Sequence, residues 1–103
     1  MPAYMIVTVA VHDRARFIEE YSKPTGALIE KFGGSYLVRA PGCISYEGGR
    51  PNGLSAVVSV WPDKAAIDAF WNSPEYQILK AARQYLADAD VQVVEVPYPA
   101  ACR

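Results

Sequence analysis

Apolar and β-branched residues run almost unbroken from Ala3 to Val11, between Pro2 and the polar pair His12-Asp13. A bounded run of that kind predicts a first strand. Asp13 can cap a helix in which Phe17, Ile18, Tyr21, Leu28, Ile29 and Phe32 recur at three- and four-residue intervals and so share one face. Pro24 should kink or split this helix, because it has no amide donor, and Gly33-Gly34 should end it. A second strand is expected over Ser35 to Ala40. Pro41-Gly42 interrupts it, and Ile44 to Glu47 is expected to continue it past a bend, before the turn-rich Gly48-Gly49-Arg50-Pro51-Asn52-Gly53. Leu54 to Trp61 reads as the third strand. Pro62-Asp63 breaks it and caps a short helix with Ile67, Phe70 and Trp71, and Ser73-Pro74 starts another whose stripe is Tyr76, Leu79, Ala82 and Leu86. Asp88-Ala89-Asp90 should close that helix, leaving Val91 to Val96 as the last strand before Pro97 and Pro99.

The resulting order, β-α-β-β-α-β, is that of an α+β ferredoxin-like domain. It would have a four-stranded antiparallel sheet with helices on one face, the second helix in two pieces, and a single domain over residues 1–103. Helices on one face should leave strands that alternate apolar and polar. These strands do not alternate. Met5, Val7, Val9 and Val11 point one way and Tyr4, Ile6 and Ala10 the other, with Thr8 the polar exception; Leu54, Ala56, Val58 and Val60 oppose Val57 and Trp61; Val91 and Val93 oppose Val94 and Val96. A second copy of the same sheet is the simplest cover for the helix-free face, so a homodimer is expected.

Composition narrows the function. Of 103 residues, 51% are apolar and 20% charged, which suits a chain that folds around one core. Lys and Arg number 10 against 11 Asp and Glu, so no surplus of positive charge is present to hold nucleic acid or an anionic membrane surface. The amino end lacks the pattern of a secretory signal and no apolar run approaches bilayer length, which makes a cytoplasmic protein the expectation. Cys43 and Cys102 are far apart and lack CxxC spacing, so they read as reduced bystanders with no metal role.

Several stretches carry a likeness that spans nearly the whole chain. They are Ala3-Tyr4, Tyr21, Lys31-Phe32-Gly33-Gly34 with Leu37-Val38-Arg39, Glu47-Gly48, and above all Ser73-Pro74-Glu75-Tyr76-Gln77 with Leu79 and Arg83. Through them the sequence resembles the family known as domain of unknown function thirteen-thirty, in the dimeric α/β-barrel superfamily. The family pattern has two glycines after the arginine, where this chain has Ala40-Pro41, and an acid before an aromatic-proline pair, where this chain has Val60 before Trp61-Pro62. The resemblance implies two ferredoxin-like sheets packed as a barrel, with a pocket in each subunit between sheet and helices. Superfamily relatives resemble cofactor-free monooxygenases, haem-degrading enzymes and small-ring isomerases, so the likeness implies a small-molecule site without selecting a chemistry.

The residues themselves offer a short set of candidates. His12 is the only histidine and would suit a general base, although its place after the first strand equally suits a polar strand end or a cap; with no Cys or carboxylate cluster around it, a haem or metal role is not expected. Tyr21, Tyr36, Trp71 and Tyr76 could line a cavity for a flat or apolar ligand, or simply be core. Arg39 and Glu47 flank the strand bend and could meet as an ion pair or face a pocket together. Strict period-two alternation puts Arg39 on the face of Leu37, opposite Tyr36 and Val38, and directs it into a cavity near Tyr21 or Tyr76. Arg83 reads as a surface or interface charge. The glycines of the hairpin loop lack the context of a phosphate loop, and Ser45 and Ser73 that of a nucleophile elbow. Two readings stay open: a small-molecule-binding homodimer that is a cofactor-free enzyme on a carbonyl or aromatic metabolite, and a non-catalytic accessory or stress protein binding a ligand or a protein.

Overall fold

The chain forms β1 (Ala3–Val11), α1 (Arg14–Phe17), a π-helical segment (Ile18–Ser22), α2 (Lys23–Lys31), β2 (Ser35–Ala40), β3 (Ser55–Trp61), α3 (Lys64–Trp71), α4 (Pro74–Arg83) and β4 (Ala87–Glu95). These elements come from a computed structural model, which describes residues 1–97; Cys102 and Pro99 lie outside the described residues. The four strands make one antiparallel sheet in the order β2-β3-β1-β4. The apolar run of β1 therefore lies in the middle, hydrogen-bonded on both edges.

Helix starts follow the capping chemistry of the sequence. The Asp13 carboxylate accepts from Arg16 N at 3.2 Å and that of Asp63 from Ala66 N at 2.8 Å. Ser73 Oγ accepts from Tyr76 N at 3.1 Å and donates to Phe70 O at 2.7 Å, joining α3 to α4. The first helix is divided ahead of Pro24, as its missing amide donor leads one to expect. Its turns widen to π geometry over Ile18–Ser22, so the proline falls in the first turn of α2, where a missing amide donor and a bulky ring are tolerated.

Odd-numbered positions of β1 and β3 face the helices. Ala3, Met5 and Val9 are buried there with Trp61, and Leu28, Ile29, Ile67, Phe70 and Tyr76 close over them. Complete burial of side chains as large as Trp61 and Phe70 contributes about 1.5–3 kcal/mol each from water exclusion alone. Close approach also fixes Gly34: a Cβ there would sit 2.7 Å from Ile29 Cγ2 and 2.8 Å from Trp61 Cε2. The opposite face has no helix. Tyr4, Ile6, Val38, Val58, Val60 and Val94 form an apolar band on it, with Ile6, Val38 and Val94 exposed in the single chain.

Three expectations need correction. Ile44 to Glu47 is not a strand; residues 41–54 form a loop pinned by Cys43 N to Leu54 O at 2.7 Å and Gly53 N to Cys43 O at 2.8 Å, and by Arg50, which donates to Thr8 Oγ1 and Asp90 Oδ2 at 2.8 and 2.7 Å. Asp88-Ala89-Asp90 does not close α4, because β1 extends to Val11 and offers ladder partners back to Ala87, with both aspartates turned to the helix-free face. In β2 a bulge shifts the register between Tyr36 and Val38, so Tyr36 opposes Ser59 and Arg39 opposes Val57. Ser59 and Val57 share the helix side. Arg39 thus stands on the same face as Tyr36, and Leu37 is left exposed.

Candidate functional site

Between the helix side of the sheet and the helices lies a cavity of about 70 Å³, room for about two waters or part of a small metabolite. Its apolar wall includes Met5, Val7 and Val9 of β1, Phe17 at the end of α1, Ile29 of α2 and Phe70 of α3. The polar lining is Tyr21 and Ser22 from the π-helical turn, Thr25, Tyr36, Arg39, Ser59, Tyr76 and Arg83. Widening the helix at Ile18–Ser22 is what brings Tyr21 and Ser22 to this wall, in keeping with the common placement of π turns beside functional sites.

The polar centre is a triad of two phenols and a guanidinium. Tyr21 and Tyr76 hydroxyls lie 2.8 Å apart, and Arg83 Nη1 donates to Tyr76 at 3.3 Å and reaches Tyr21 at 3.5 Å. The Arg83 guanidinium also stands 5.4 Å from the Tyr21 ring centroid. Arg83 is only 8% exposed, yet no carboxylate pairs with it among the described residues. A buried guanidinium keeps its charge and carries five N–H donors, so phenol oxygens alone leave most of its capacity unused. Burial, reinforced by the neighbouring Tyr21 phenol, pushes the Tyr76 hydroxyl far above the ordinary phenol range. Burial likewise raises Tyr36, with Arg39 opposing the shift. Both phenols are therefore protonated hydrogen-bond donors at neutral pH.

At the rim, Arg39 Nη2 donates to Ser22 Oγ at 3.3 Å, and its guanidinium lies 4.6 Å from the Tyr36 ring centroid. Arg39 also borders two surface grooves, one along α2 and one beside α1, so it stands where the cavity meets the outside. Deeper in, Thr25 is 3% exposed and its hydroxyl has no hydrogen-bond partner among the described residues.

Of the residues singled out by sequence, Tyr21, Tyr36, Arg39 and Tyr76 meet at this cavity. Three others do not. His12 is past the end of β1, its Nε2 2.9 Å from Asp88 Oδ2 on the surface. Glu47 sits exposed in the 41–54 loop, beside a separate depression with Tyr46 and Arg50, and makes no ion pair with Arg39 among the described residues. Trp71 packs outside the cavity, 5.1 Å from the Tyr76 ring and under Lys80. Sequence reasoning missed Arg83 and Thr25. Arg83 follows Tyr76 by seven residues and Thr25 follows Tyr21 by four, spacings that place each on the inward stripe of its helix. Among the described residues no group of three or more His, Cys, Asp or Glu could hold a metal ion, and no helix is long and apolar enough to cross a membrane.

Sheet order, helices on one face and an intervening cavity define a ferredoxin-like α+β protein. Within that class the chain belongs to the family described as domain of unknown function DUF1330, whose model matches residues 2–97. No curated protein matches the sequence. Among solved structures, a protein of unknown function from Rhodopseudomonas palustris is 18% identical with a TM-score of 0.76, over 95% of this chain and 84% of that one. A dimeric ferredoxin-like protein of unknown function from Jannaschia sp. CCS1 is 18% identical with a TM-score of 0.73, over 93% and 100%. SnoaB, a cofactor-independent oxygenase from Streptomyces nogalater, is 14% identical with a TM-score of 0.69, over 96% of each chain. At these identities the likeness is one of fold.

Proposed function

We propose that the protein binds a small organic molecule with an apolar body and an anionic or carbonyl oxygen, and that it does so as a homodimer. The observation that carries this is Arg83, buried without a carboxylate partner among the described residues in a cavity whose other walls are mostly apolar. An oxygen-rich head group would take up its free N–H donors together with those of the phenols, while Phe17, Ile29 and Phe70 pack on the body. Arg39 guards the rim and makes first contact with the same charge.

Catalysis is a second reading, favoured by the way one guanidinium and two phenols converge. Such donors stabilise negative charge developing on oxygen, as in an enolate formed from a carbonyl compound or a phenolate formed from a phenol. Among the described residues the cavity lining contains neither a carboxylate nor an imidazole, and the buried Tyr76 phenol holds its proton. Binding is therefore the primary reading, and an enzymatic role would rest on charge stabilisation, with solvent water at the rim taking the proton.

The dimer is supported by the apolar band of the helix-free face and by the fold shared with a protein described as dimeric. Val7 and Val57 pair on the helix side, so a charge aimed at the dimer belongs at Val58. Native mass spectrometry of freshly purified protein tests both parts. Twice the chain mass with a bound small molecule is expected, and Arg83→Met should fly as the bare dimer, the lost charge-assisted bonds costing about 1.5–3 kcal/mol of affinity. A monomer that Val58→Asp leaves unaltered would refute the dimer. A wild-type protein that carries no ligand, and whose melting point no organic acid or ketone raises, would refute the binding site.

A further inference from the structure

We infer that the groove beside α1 is a phosphate subsite, and that the ligand is a small organic phosphate whose phosphate lies between Arg14 and Arg39 and whose other end brings an acid or carbonyl oxygen to Arg83. The inference rests on the cavity being a small-molecule site as proposed above, and deepens it. With room for about two waters, the cavity admits only the tip of such a molecule, so the rest of any ligand that reaches Arg83 must lie in what adjoins it. The groove adjoins it. It measures about 360 Å³, and Phe17, Ser22, Arg39 and Val57 line both spaces.

Charge in the groove has one sign. Arg14 and Arg39 line it and, among the described residues, no carboxylate does. Arg14 Nη2 donates to Ser55 Oγ at 3.1 Å and Arg39 Nη2 to Ser22 Oγ at 3.3 Å; both serines belong to the lining, so these bonds bring both guanidiniums to the groove. Arg39 opposes Val57, and Ser55 follows on the same face of β3 two residues away, about 7 Å, a separation that two guanidiniums can bridge around one phosphate. Elsewhere the chain pairs its cations: Arg16, Lys23, Lys31, Arg50 and Lys64 each meet a carboxylate, and Lys80 lies over the Trp71 ring. Arg14, Arg39 and Arg83 meet no carboxylate among the described residues, and all three stand along the groove and the cavity. A carboxylate brings one charge and fills one guanidinium fork. A phosphate ester brings about −1.5 to −2 charges and three free oxygens, which suits two forks at once.

The test uses phosphonoacetate, 3-phosphonopropionate and 4-phosphonobutyrate, which join a stable phosphate mimic to a carboxylate through a chain of growing length. Inorganic phosphate and the matching dicarboxylates malonate, succinate and glutarate serve as references. In calorimetry at least one phosphonocarboxylate should bind wild type about tenfold or more tighter than inorganic phosphate and than its matching dicarboxylate. Arg14→Met, a change at an exposed position, should melt within a few degrees of wild type and weaken that compound about tenfold or more. Arg83→Met should bind it no better than inorganic phosphate. A dicarboxylate that binds as tightly as its phosphonate, or an Arg14→Met protein that binds every compound as wild type does, would overturn the inference. Binding that Arg14→Met weakens and Arg83→Met leaves alone would overturn it too, because the groove would then hold phosphate without leading to the cavity. Failure of all the phosphonates while an organic acid raises the melting point through Arg83 would overturn the inference alone and leave the cavity site standing; failure of both kinds of compound would remove the site as well.

Discussion

The two helical limbs that cover the sheet differ in how completely their groups are satisfied. In the second limb, α3 and α4 start on side-chain caps, Ile67 and Phe70 are buried, and Ser73 both caps α4 and bonds the last turn of α3. The Phe70 ring lies 5.2 Å from Trp61 and 4.4 Å from Tyr76, and the Trp61 indole donates to Ser59 at 2.9 Å. The first limb is looser at its start: α1 and the π-helical turn bury no residue completely, and α2, which does bury Leu28 and Ile29, also buries a threonine hydroxyl with no partner among the described residues. Stability thus resides mainly in the second limb. The first supplies an adaptable wall, and the cavity lies where the two meet.

Truncations would break this comparison if they cost the same in both limbs. Phe70→Ala should lower the unfolding free energy by about 3–5 kcal/mol, because it removes a ring packed against three others. Phe17→Ala should cost about 1 kcal/mol, since its ring is half-buried and rests on Tyr21 alone among the described aromatic residues. Urea denaturation of both variants measures the contrast, and equal losses would mean that the first limb is as tightly built as the second. Next in size is Ser73→Ala, which deletes a cap and a buried hydrogen bond together. About 1–2 kcal/mol is expected from the same measurement.

The second limb was also the more legible in sequence. Ser73-Pro74 and Pro62-Asp63 announce helix starts through local chemistry that tertiary structure did not override. Strand faces were read correctly in β1 and β3, where alternation is regular. Reading failed where regularity did. A bulge at Leu37 reverses the face of Arg39, and a bulge depends on how β3 pairs with β2, which composition does not reveal. The extra residues of β4 are set by the length of its partner β1, so Asp88-Ala89-Asp90 looked like a helix end when read alone. Ile44 to Glu47 has the residue types of a strand but no neighbouring edge to pair with, so it stays in the loop. In the site, aromatic residues were found because their spacing marks a buried stripe. Arg83 and Thr25 occupy the same kind of stripe, but the charge of Arg83 argued for the surface or an interface, and Thr25 carried no signal of its own.

Alkaline pH sharpens the comparison at the cavity. Tyr36 and Tyr76 hold their protons more tightly in the folded protein than in the unfolded chain. The stability this represents is complete below the unfolded phenol value of about 10 and is lost as pH rises beyond it. The urea midpoint should therefore decline above about pH 10, and less steeply in Tyr76→Phe than in wild type. Parallel declines in the two proteins would mean that the Tyr76 phenol is not sequestered.

Arg83→Met should change stability least of all, despite its expected effect on ligand binding. Removing a buried group usually destabilises, and here the variant gives up two hydrogen bonds to phenols at 3.3 and 3.5 Å and a contact with the Tyr21 ring. Against this, the charge has been taken out of water without a carboxylate among the described residues to offset it, so its replacement by a flexible apolar side chain removes a desolvation cost. Tyr21 and Tyr76 keep each other as partners at 2.8 Å, so no phenol is orphaned by the change. The opposing terms leave a net change within about 1 kcal/mol, of either sign, measurable as a shift of a few degrees in melting temperature. A loss several times larger would show that Arg83 holds the two limbs together, and the reason for burying an unpaired charge at the junction would then be structural and not the capture of a ligand.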